Sequence, residues 1–570
     1  MFGAFTSFGK LGSLARAIAA AWTPSALWPT GTEPGMWIDP SNLTSQWQDS
    51  TGTTPVSPPG TVADSSNPVG LALDLRLGAL DALGPELVTN GDFSDGSTGW
   101  TLETGWSVSD GQASITNASD IFAVYQAGLT PGKTYFISFT ITSISGGGFT
   151  PYCGDNLRYA NFNTVGTHTA IFVCGANGYL GVRAVSVGTT GSITNISFKE
   201  VPGNHLLQAT STARPLVSAR VNWVNRDSDI NPQTGELSEA TLTQTAVAPP
   251  IGTGSVYKLV GNAVATQHRI VIYPAPGVTG SAVACFTFFA KAAEVRRCYI
   301  FAGQDYGNVW FDTMSGTCGP MPEYIGNLSY SITSVGDGWY RCQMTVTNPS
   351  FSTLQLGLMA DGGTTFPEAS VPMDGLGMYL WGVQAEFGLV PGPYQSIVGN
   401  GSSYSSTGFP IYQKYDGTDD GMATASFAAG TLTNAMDCMI PVRRDSAVLP
   451  AIGGLYQADQ TKYFGVLGFT SGDTASTYGG CGTPTIFVDG VEVPNERGAL
   501  FNAMTVGDFH ILEYRGLDLS AWVNAAWGAY PTYLFNGARG DIMLFPSTAS
   551  TEDKDAARQY LADKYGVTLA

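Results

Sequence analysis

Charge is scarce in this chain. Asp, Glu, Lys and Arg make up 12% of the 570 residues, about half the usual share. What charge there is leans acidic, with 45 Asp and Glu against 26 Lys and Arg and a formal net charge of −19. Basic residues so few and so scattered form no counterion-releasing patch, which excludes nucleic acid as an expected partner. Histidine is scarcer still. His168, His205, His268 and His510 are far apart in sequence, so a histidine metal site or a Ser-His-Asp triad would need long-range assembly. GxSxG, HExxH and phosphate-loop patterns are missing. No apolar run reaches the roughly 18 residues of a membrane-spanning helix, so no membrane insertion is expected. The opening MFGAFTSFGKLGSLARAIAAAW looks superficially like a leader peptide, but Arg16 interrupts its apolar stretch.

Apolar residues, at 43%, suffice to build cores, and Gly (71) and Pro (32) are plentiful. The length fits roughly 3–4 domains. Eight cysteines fall as Cys153 and Cys174, then Cys285, Cys298, Cys318 and Cys342, then Cys438 and Cys481, with no CxxC. An even number per segment permits disulfides. The low density favours buried thiols used as small apolar side chains.

The segment ELVTNGDFSDGSTGWTLETGWSVSDGQASI (86–115) mixes turn residues with Phe93, Trp100 and Trp106. Asn90-Gly91 and Asp95-Gly96 mark turns, because Asn, Asp and Gly tolerate positive φ. Trp106, Val108, Ala113 and Ile115 alternate with polar residues, the period of a half-buried strand. Strands follow at 134–144, 169–175 and 193–201, so 86–201 reads as one β-sandwich. Seven strand-like runs place a second sandwich over 241–397, and a third β unit fills 415–570. Residues 202–240 and 398–414 read as linkers, and 1–85 as a helix followed by an extended attachment region. In that region Phe5, Phe8, Leu11, Leu14, Ile18 and Trp22 recur at helical spacing. The chain closes on a well-marked helix, TEDKDAARQYLADKYGV (551–567). It has Ser550 or Thr551 as N-cap, Glu552 and Asp553 in the first turn, Lys564 near the end and Gly566 as the stop. Ala556, Tyr560, Leu561 and Tyr565 are expected to face the sheet. The fold class expected is mainly β: tandem β-sandwich, jelly-roll or lectin-like domains with a short N-terminal and a C-terminal helix.

Taken together, NGDF (90–93), GW (99–100), SVSDGQASI (107–115), LTPGKTYFISF (129–139) and ITNISFKEV (193–201) resemble carbohydrate-binding-module-like jelly rolls. GDGWYRCQMTV (336–346) and MYLWGVQAEFGLVPGPYQ (378–395) resemble a variant found in tailed-phage virion proteins. The last unit resembles a concanavalin A-like lectin or laminin-G-type sandwich, and MWIDPSNLTSQWQDSTGTTPV (36–56) resembles a segment that precedes such units. The resemblance implies a phage fibre or spike protein located in the virion. Its partners would be other virion proteins through its N-terminal region, host-surface glycans through its β units, and further copies of itself, as a trimer by family analogy. It also implies a structural calcium in the first jelly roll, yet Thr194 stands where a ligating Asp is expected. No other cofactor is expected. Asp416, Asp419 and Asp420 are an alternative set of hard oxygen ligands for calcium, or else a solvated turn.

Glycan binding relies on aromatic faces with polar partners. Candidates in loop-like surroundings are Tyr152 and Tyr159, flanking Asn156 and Arg158; Tyr306, Trp310 and Tyr324; and Tyr478, Trp522, Trp527, Tyr530 and Tyr533. Trp100, Trp339 and Trp381 sit in strand-like motifs and read as core. The paired carboxylates of a glycosidase have no sequence counterpart. The ExDxxE run of laminarinase-like sandwiches does not occur, and Glu513 and Asp518 have the wrong spacing to share one strand face. The chain is therefore expected not to be an enzyme. A purely architectural virion role and a polysaccharide-degrading activity are the alternatives.

Overall fold

The computed structural model describes residues 22–570 except 59–66, 154–159, 220–223, 225–234, 252–253, 273–277, 280–282, 303–306, 322–327, 348–349, 352–353, 366–370, 388–390, 392–393, 395–410, 428–429, 446–452, 458, 460, 467–469, 506–507 and 529–534. The N-terminal helix expected over 6–22 lies outside the described residues but for Trp22. The chain is mainly β, built of antiparallel sheets packed as sandwiches.

The first inserted sandwich has two sheets. One runs in the order Gly166–Val173, Thr134–Ile144, Gly191–Glu200, Gln112–Ile115, Trp106–Ser109, and the other Thr101–Leu102, Ala123–Ala127, Tyr179–Ala184, Phe149–Tyr152. Alternation drives it. Along Thr134–Ile144, Tyr135, Ile137, Phe139 and Ile141 point inward and are at most 1% exposed. They meet Val124, Leu180 and Val182 of the opposite sheet, with Phe93, Trp100 and Trp106 closing the ends. Each such burial contributes about 1.5–3 kcal/mol. The turns around Phe93 and Asp110 use positive φ at Asn90, Phe93, Asp110 and Gly111.

The second inserted sandwich repeats the plan with two six-stranded sheets. The first holds Gly235–Ser238, Arg269–Ile272, Leu354–Met359, Arg297–Phe301, Asn308–Asp312 and Thr317–Pro320. Its core joins Ile270, Leu356 and Ile300 to Phe286, Phe288 and Met344. Trp339 and Trp381, at 1% exposed, pack with Phe289 and Tyr394, as expected of core residues.

The third unit recruits segments expected to lie outside it. Its nine-stranded sheet contains Ile411–Asp416, Met436–Arg444, Phe509–Leu517 and Ile542–Pro546, but also Leu216–Ala219 and Met36–Ile38. Its second sheet stacks Gln46–Trp47, Leu71–Ala72, Leu206–Leu207, Met422–Thr424 and Ala526–Trp527. The boundaries read at 85, 202, 240, 398 and 414 therefore shift. Met36–Ile38, Gln46–Trp47, Leu71–Ala72, Leu206–Leu207 and Leu216–Ala219 are strands of the last sandwich, Ile411–Asp416 belongs to it, and Gly235–Ser238 opens the second sandwich. The last unit is a host body into which both other sandwiches are inserted. Cross-strand hydrogen bonds drive this, since the short strand Met36–Ile38 pairs with Ile542–Pro546, and Leu71–Ala72 bridges Gln46–Trp47 to Leu206–Leu207 from beyond the first sandwich.

Met436–Arg444 is buried at every position because its sheet is covered on both faces. Cys438, Ile440 and Val442 enter the inter-sheet core. Met439 points the other way, toward helix Thr551–Tyr565. That helix starts as expected, with the Ser550 side chain accepting from the Asp553 N–H, and stops at Gly566 in the left-handed region. Ala557, Leu561, Ala562 and Tyr565 form its buried face. Ala557 thus takes the place expected of Ala556, and Tyr560 is half-buried.

The first sandwich is fused to the host by apolar packing. Trp47, Leu71, Leu73 and Ala79 of the host meet Ile171 and Val201 of the insert. All eight cysteines are thiols, with only Cys318 not fully buried. No described helix is long and apolar enough to cross a membrane.

Candidate functional site

The outward face of the first sandwich's smaller sheet gathers tyrosines. In Tyr179–Ala184, Leu180, Val182 and Ala184 enter the core, which sends Tyr179, Gly181 and Arg183 to the other face. Register places Gly181 directly between Tyr125 on one neighbouring strand and Tyr152 on the other. Tyr179 pairs with Ala127, two residues further along. The three rings close into a cluster. Centroids lie 4.7 Å apart for Tyr125 and Tyr179, 5.6 Å for Tyr125 and Tyr152, and 6.3 Å for Tyr152 and Tyr179. The last pair is nearly parallel, at 21°. All three side chains are half-buried, so part of each ring stays open.

Gly181 makes this geometry feasible. A Cβ there would lie inside the contact distance of the Val124 carbonyl and the Tyr125 backbone, and a side chain would rise between the rings. Arg183 is 2% exposed and holds its guanidinium 5.7 Å from the Tyr152 centroid. Glu103 accepts a hydrogen bond from the Ala123 N–H at 2.6 Å. Burial, and then the negative charge of Glu103, push the Tyr125 and Tyr152 phenols up, which keeps both as neutral donors. Aromatic faces beside a cation and a carboxylate are the elements that hold a sugar ring.

The other sequence candidates scatter. Tyr159, Asn156, Arg158, Tyr306, Tyr324, Tyr530 and Tyr533 lie outside the described residues. Trp310 sits on a strand of the second sandwich, its ring over Gly319 and 4.6 Å from the Arg297 guanidinium, and packs against Tyr299, Met321 and Met359. Trp522 and Trp527 are corrected: at 0% and 1% exposed they belong to the host core and offer no face to a ligand. They fill the space between the two host sheets, and their loop-like sequence hid this. Tyr478 packs partly buried against the same core. Tyr125 and Tyr179 were missed. Their signal was present in AVYQA and YLGVRA, where the aromatic falls in the phase opposite to the aliphatic core positions.

Asp416, Asp419 and Asp420 do converge, with one carboxylate oxygen from each within 4.8 Å of the others. Asp416 and Asp419 are exposed, whereas Asp420 is 8% exposed. Burial, reinforced by the two neighbouring carboxylates, pushes Asp420 up to about 7 despite the Asp416 N–H it accepts at 2.9 Å. The donor set suits a hard cation such as calcium. In the first sandwich the Thr194 hydroxyl donates to the Gly111 carbonyl at 2.8 Å, a direct bond at the position where the resemblance implies a ligating carboxylate.

One acid–histidine–hydroxyl chain occurs among the described residues. Asp489 Oδ2 lies 2.6 Å from His510 Nδ1, and His510 Nε2 lies 2.9 Å from Thr505 Oγ1. The ring nitrogen also accepts the Thr505 N–H at 3.0 Å, and the hydroxyl has Asp508 as a second partner at 2.9 Å. These bonds tie Thr505, Asp508 and Asp489 to His510 at the start of strand Phe509–Leu517. Glu513 is 1% exposed on its side chain and is paired with Arg515 and Arg558.

No family model matches the chain, and no curated protein matches it. Among solved structures it is similar to the N-terminal CBM22-1–CBM22-2 tandem domain of Xyn10C from Paenibacillus barcinonensis. Identity is 12% and the TM-score 0.24, over 54% of this chain and 99% of that one.

Proposed function

We propose that this chain is a non-catalytic glycan-binding protein and that the Tyr125–Tyr152–Tyr179 cluster is its sugar platform. The observation that carries this is the cross-strand placement of three half-open tyrosines around Gly181, beside Arg183 and Glu103. Pyranose C–H surfaces stack on the rings, while the phenols and Glu103 exchange hydrogen bonds with hydroxyls; the buried Arg183 guanidinium supports the Tyr152 ring. The wider reading is an adsorption protein of the fibre or spike type on a virion, holding host-surface glycans. Its support is the set of sequence resemblances and the series of β-sandwiches, with trimerisation and docking to other virion proteins following from the same analogy.

A glycan array probed with the full chain and with Tyr125→Ala/Tyr179→Ala tests the platform. The expected result is binding to a defined set of glycans, weakened tenfold or more in the double variant, with the melting temperature lowered by no more than a few degrees. Equal binding by both proteins would remove the platform. Release of reducing ends from a bound polysaccharide would replace the non-catalytic reading.

A further inference from the structure

Where the first sandwich meets the host, the two bodies leave a cleft of about 600 Å³, a size that suits a small molecule. One wall is the turn Thr130–Thr134 and the outgoing segment Glu200–His205 of the insert. The opposite wall is host: Thr32–Pro34, Arg76, Thr424–Phe427, and Gly430, Thr431 and Thr433.

The lining selects a chemical class. Thr32, Thr130, Thr134, Thr424 and Ser426 line it, and Phe427 adds an apolar surface. Apart from Glu33, for which no ion pair occurs among the described residues, the charges are matched within the walls. Lys133 pairs with Glu200 at 2.7 Å, and Arg76 stands 3.6 Å from the fully buried Asp74. An anion entering here would meet Glu33 and Glu200 and would have to break one of these pairs. His205, 2% exposed, is held neutral, accepting from the Asp74 N–H while its other nitrogen faces the Val201 carbonyl at 3.0 Å. Burial lowers its proton affinity further.

Two polar atoms on this lining are left over. Glu33 Oε2 and Arg76 Nε are shielded from water and have no hydrogen-bond partner among the described residues. Shielded polar atoms of this kind cost free energy unless something satisfies them. One is an acceptor and the other a donor, both on cleft-lining residues, and a hydroxyl can serve either.

We propose that this cleft is a second binding site, separate from the tyrosine platform, for a short neutral saccharide of one or two units. The hydroxyl-rich walls exchange hydrogen bonds with the sugar, Phe427 covers one apolar face, and the Glu33 carboxylate accepts from a hydroxyl. Because the walls come from two bodies, an occupied cleft also ties the first sandwich more firmly to the host.

The test is saturation-transfer NMR and calorimetry on the full chain with glucose, galactose, mannose, N-acetylglucosamine, maltose, cellobiose and lactose, and with inorganic phosphate as the charged control. The expected result is millimolar or tighter binding of at least one neutral sugar. Tyr125→Ala/Tyr179→Ala should retain that binding. Ser426→Trp, which fills the cleft from an exposed rim position, should weaken it at least tenfold, and Glu33→Gln should weaken it measurably. Both variants should melt as the parent does. Binding that disappears in the tyrosine variant and survives Ser426→Trp, binding of phosphate in preference to sugars, or no binding of any sugar in the panel would each overturn the proposal.

Discussion

Met36 lies directly across from Leu544, as neighbours on adjacent antiparallel strands. The pairing closes the host sheet with residues from opposite ends of the sequence. Salt bridges lock it. Lys564 reaches Asp39 at 2.6 Å and Asp541 at 2.7 Å, with Asp541 also bonded by the Tyr565 hydroxyl and the Trp37 indole. Asp541 is fully buried, so removing its cation leaves a carboxylate with too little compensation. Lys564→Met should cost about 3–5 kcal/mol. Chemical denaturation of the host transition reads this directly, and a change below 1 kcal/mol would show that the cluster is solvated.

Trp527 is 1% exposed, against Arg539 at 4.3 Å from its ring. Trp527→Ala should cost about 3–5 kcal/mol and lower the melting temperature of the host body. Glycan binding at the tyrosine platform, on a different body, should stay as it was. Loss of binding with an unchanged melting curve would return Trp527 to the list of ligand contacts.

Ala219 and Ile411 are cross-strand partners at the points where the chain leaves for the second sandwich and returns from it. Replacing residues 220–410 by a turn of about 2–4 residues should therefore leave the host sheet intact. The shortened protein is expected to keep the host transition and the tyrosine-platform binding, read by calorimetry and the glycan array. An insoluble or molten product would show that the second sandwich supports the host.

Asp420 makes stability fall as pH rises. Its carboxyl is pushed up from 3.8 to about 7 in the folded chain, so the folded state holds the proton more tightly than the unfolded one. The folded chain thus keeps its full advantage below pH 3.8 and loses it as pH climbs through 7. Asp420→Asn removes the charge while keeping an acceptor for the Asp416 N–H. The variant should melt higher than the parent at pH 8 and equally at pH 4. Matching curves at both pH values would mean that Asp420 is not desolvated.

The sequence was easiest to read where one segment carries its own pattern. TYFISFTITSI shows inward residues every second position, and the helix 551–565 announces both ends with Ser550 and Gly566. The host's second sheet was illegible because Gln46–Trp47, Leu71–Ala72, Leu206–Leu207 and Ala526–Trp527 are two residues long, too short to display a period. Their identity as strands exists only in their partners. Trp522 and Trp527 misled for a related reason, since alanine, glycine and asparagine around them look like a surface loop. Tyr125 and Tyr179 were readable in principle, but an outward aromatic among aliphatic alternation is normally discounted as packing.

The nested connectivity also orders the protein's birth. A ribosome releases Met36 first, yet its partner strand Ile542–Pro546 emerges some five hundred residues later. Both inserted sandwiches finish emerging before that and, being local in sequence, can fold while translation continues. The strand Met36–Ile38 waits for that partner throughout, so late synthesis, not the fast closure of either insert, sets when this molecule becomes whole.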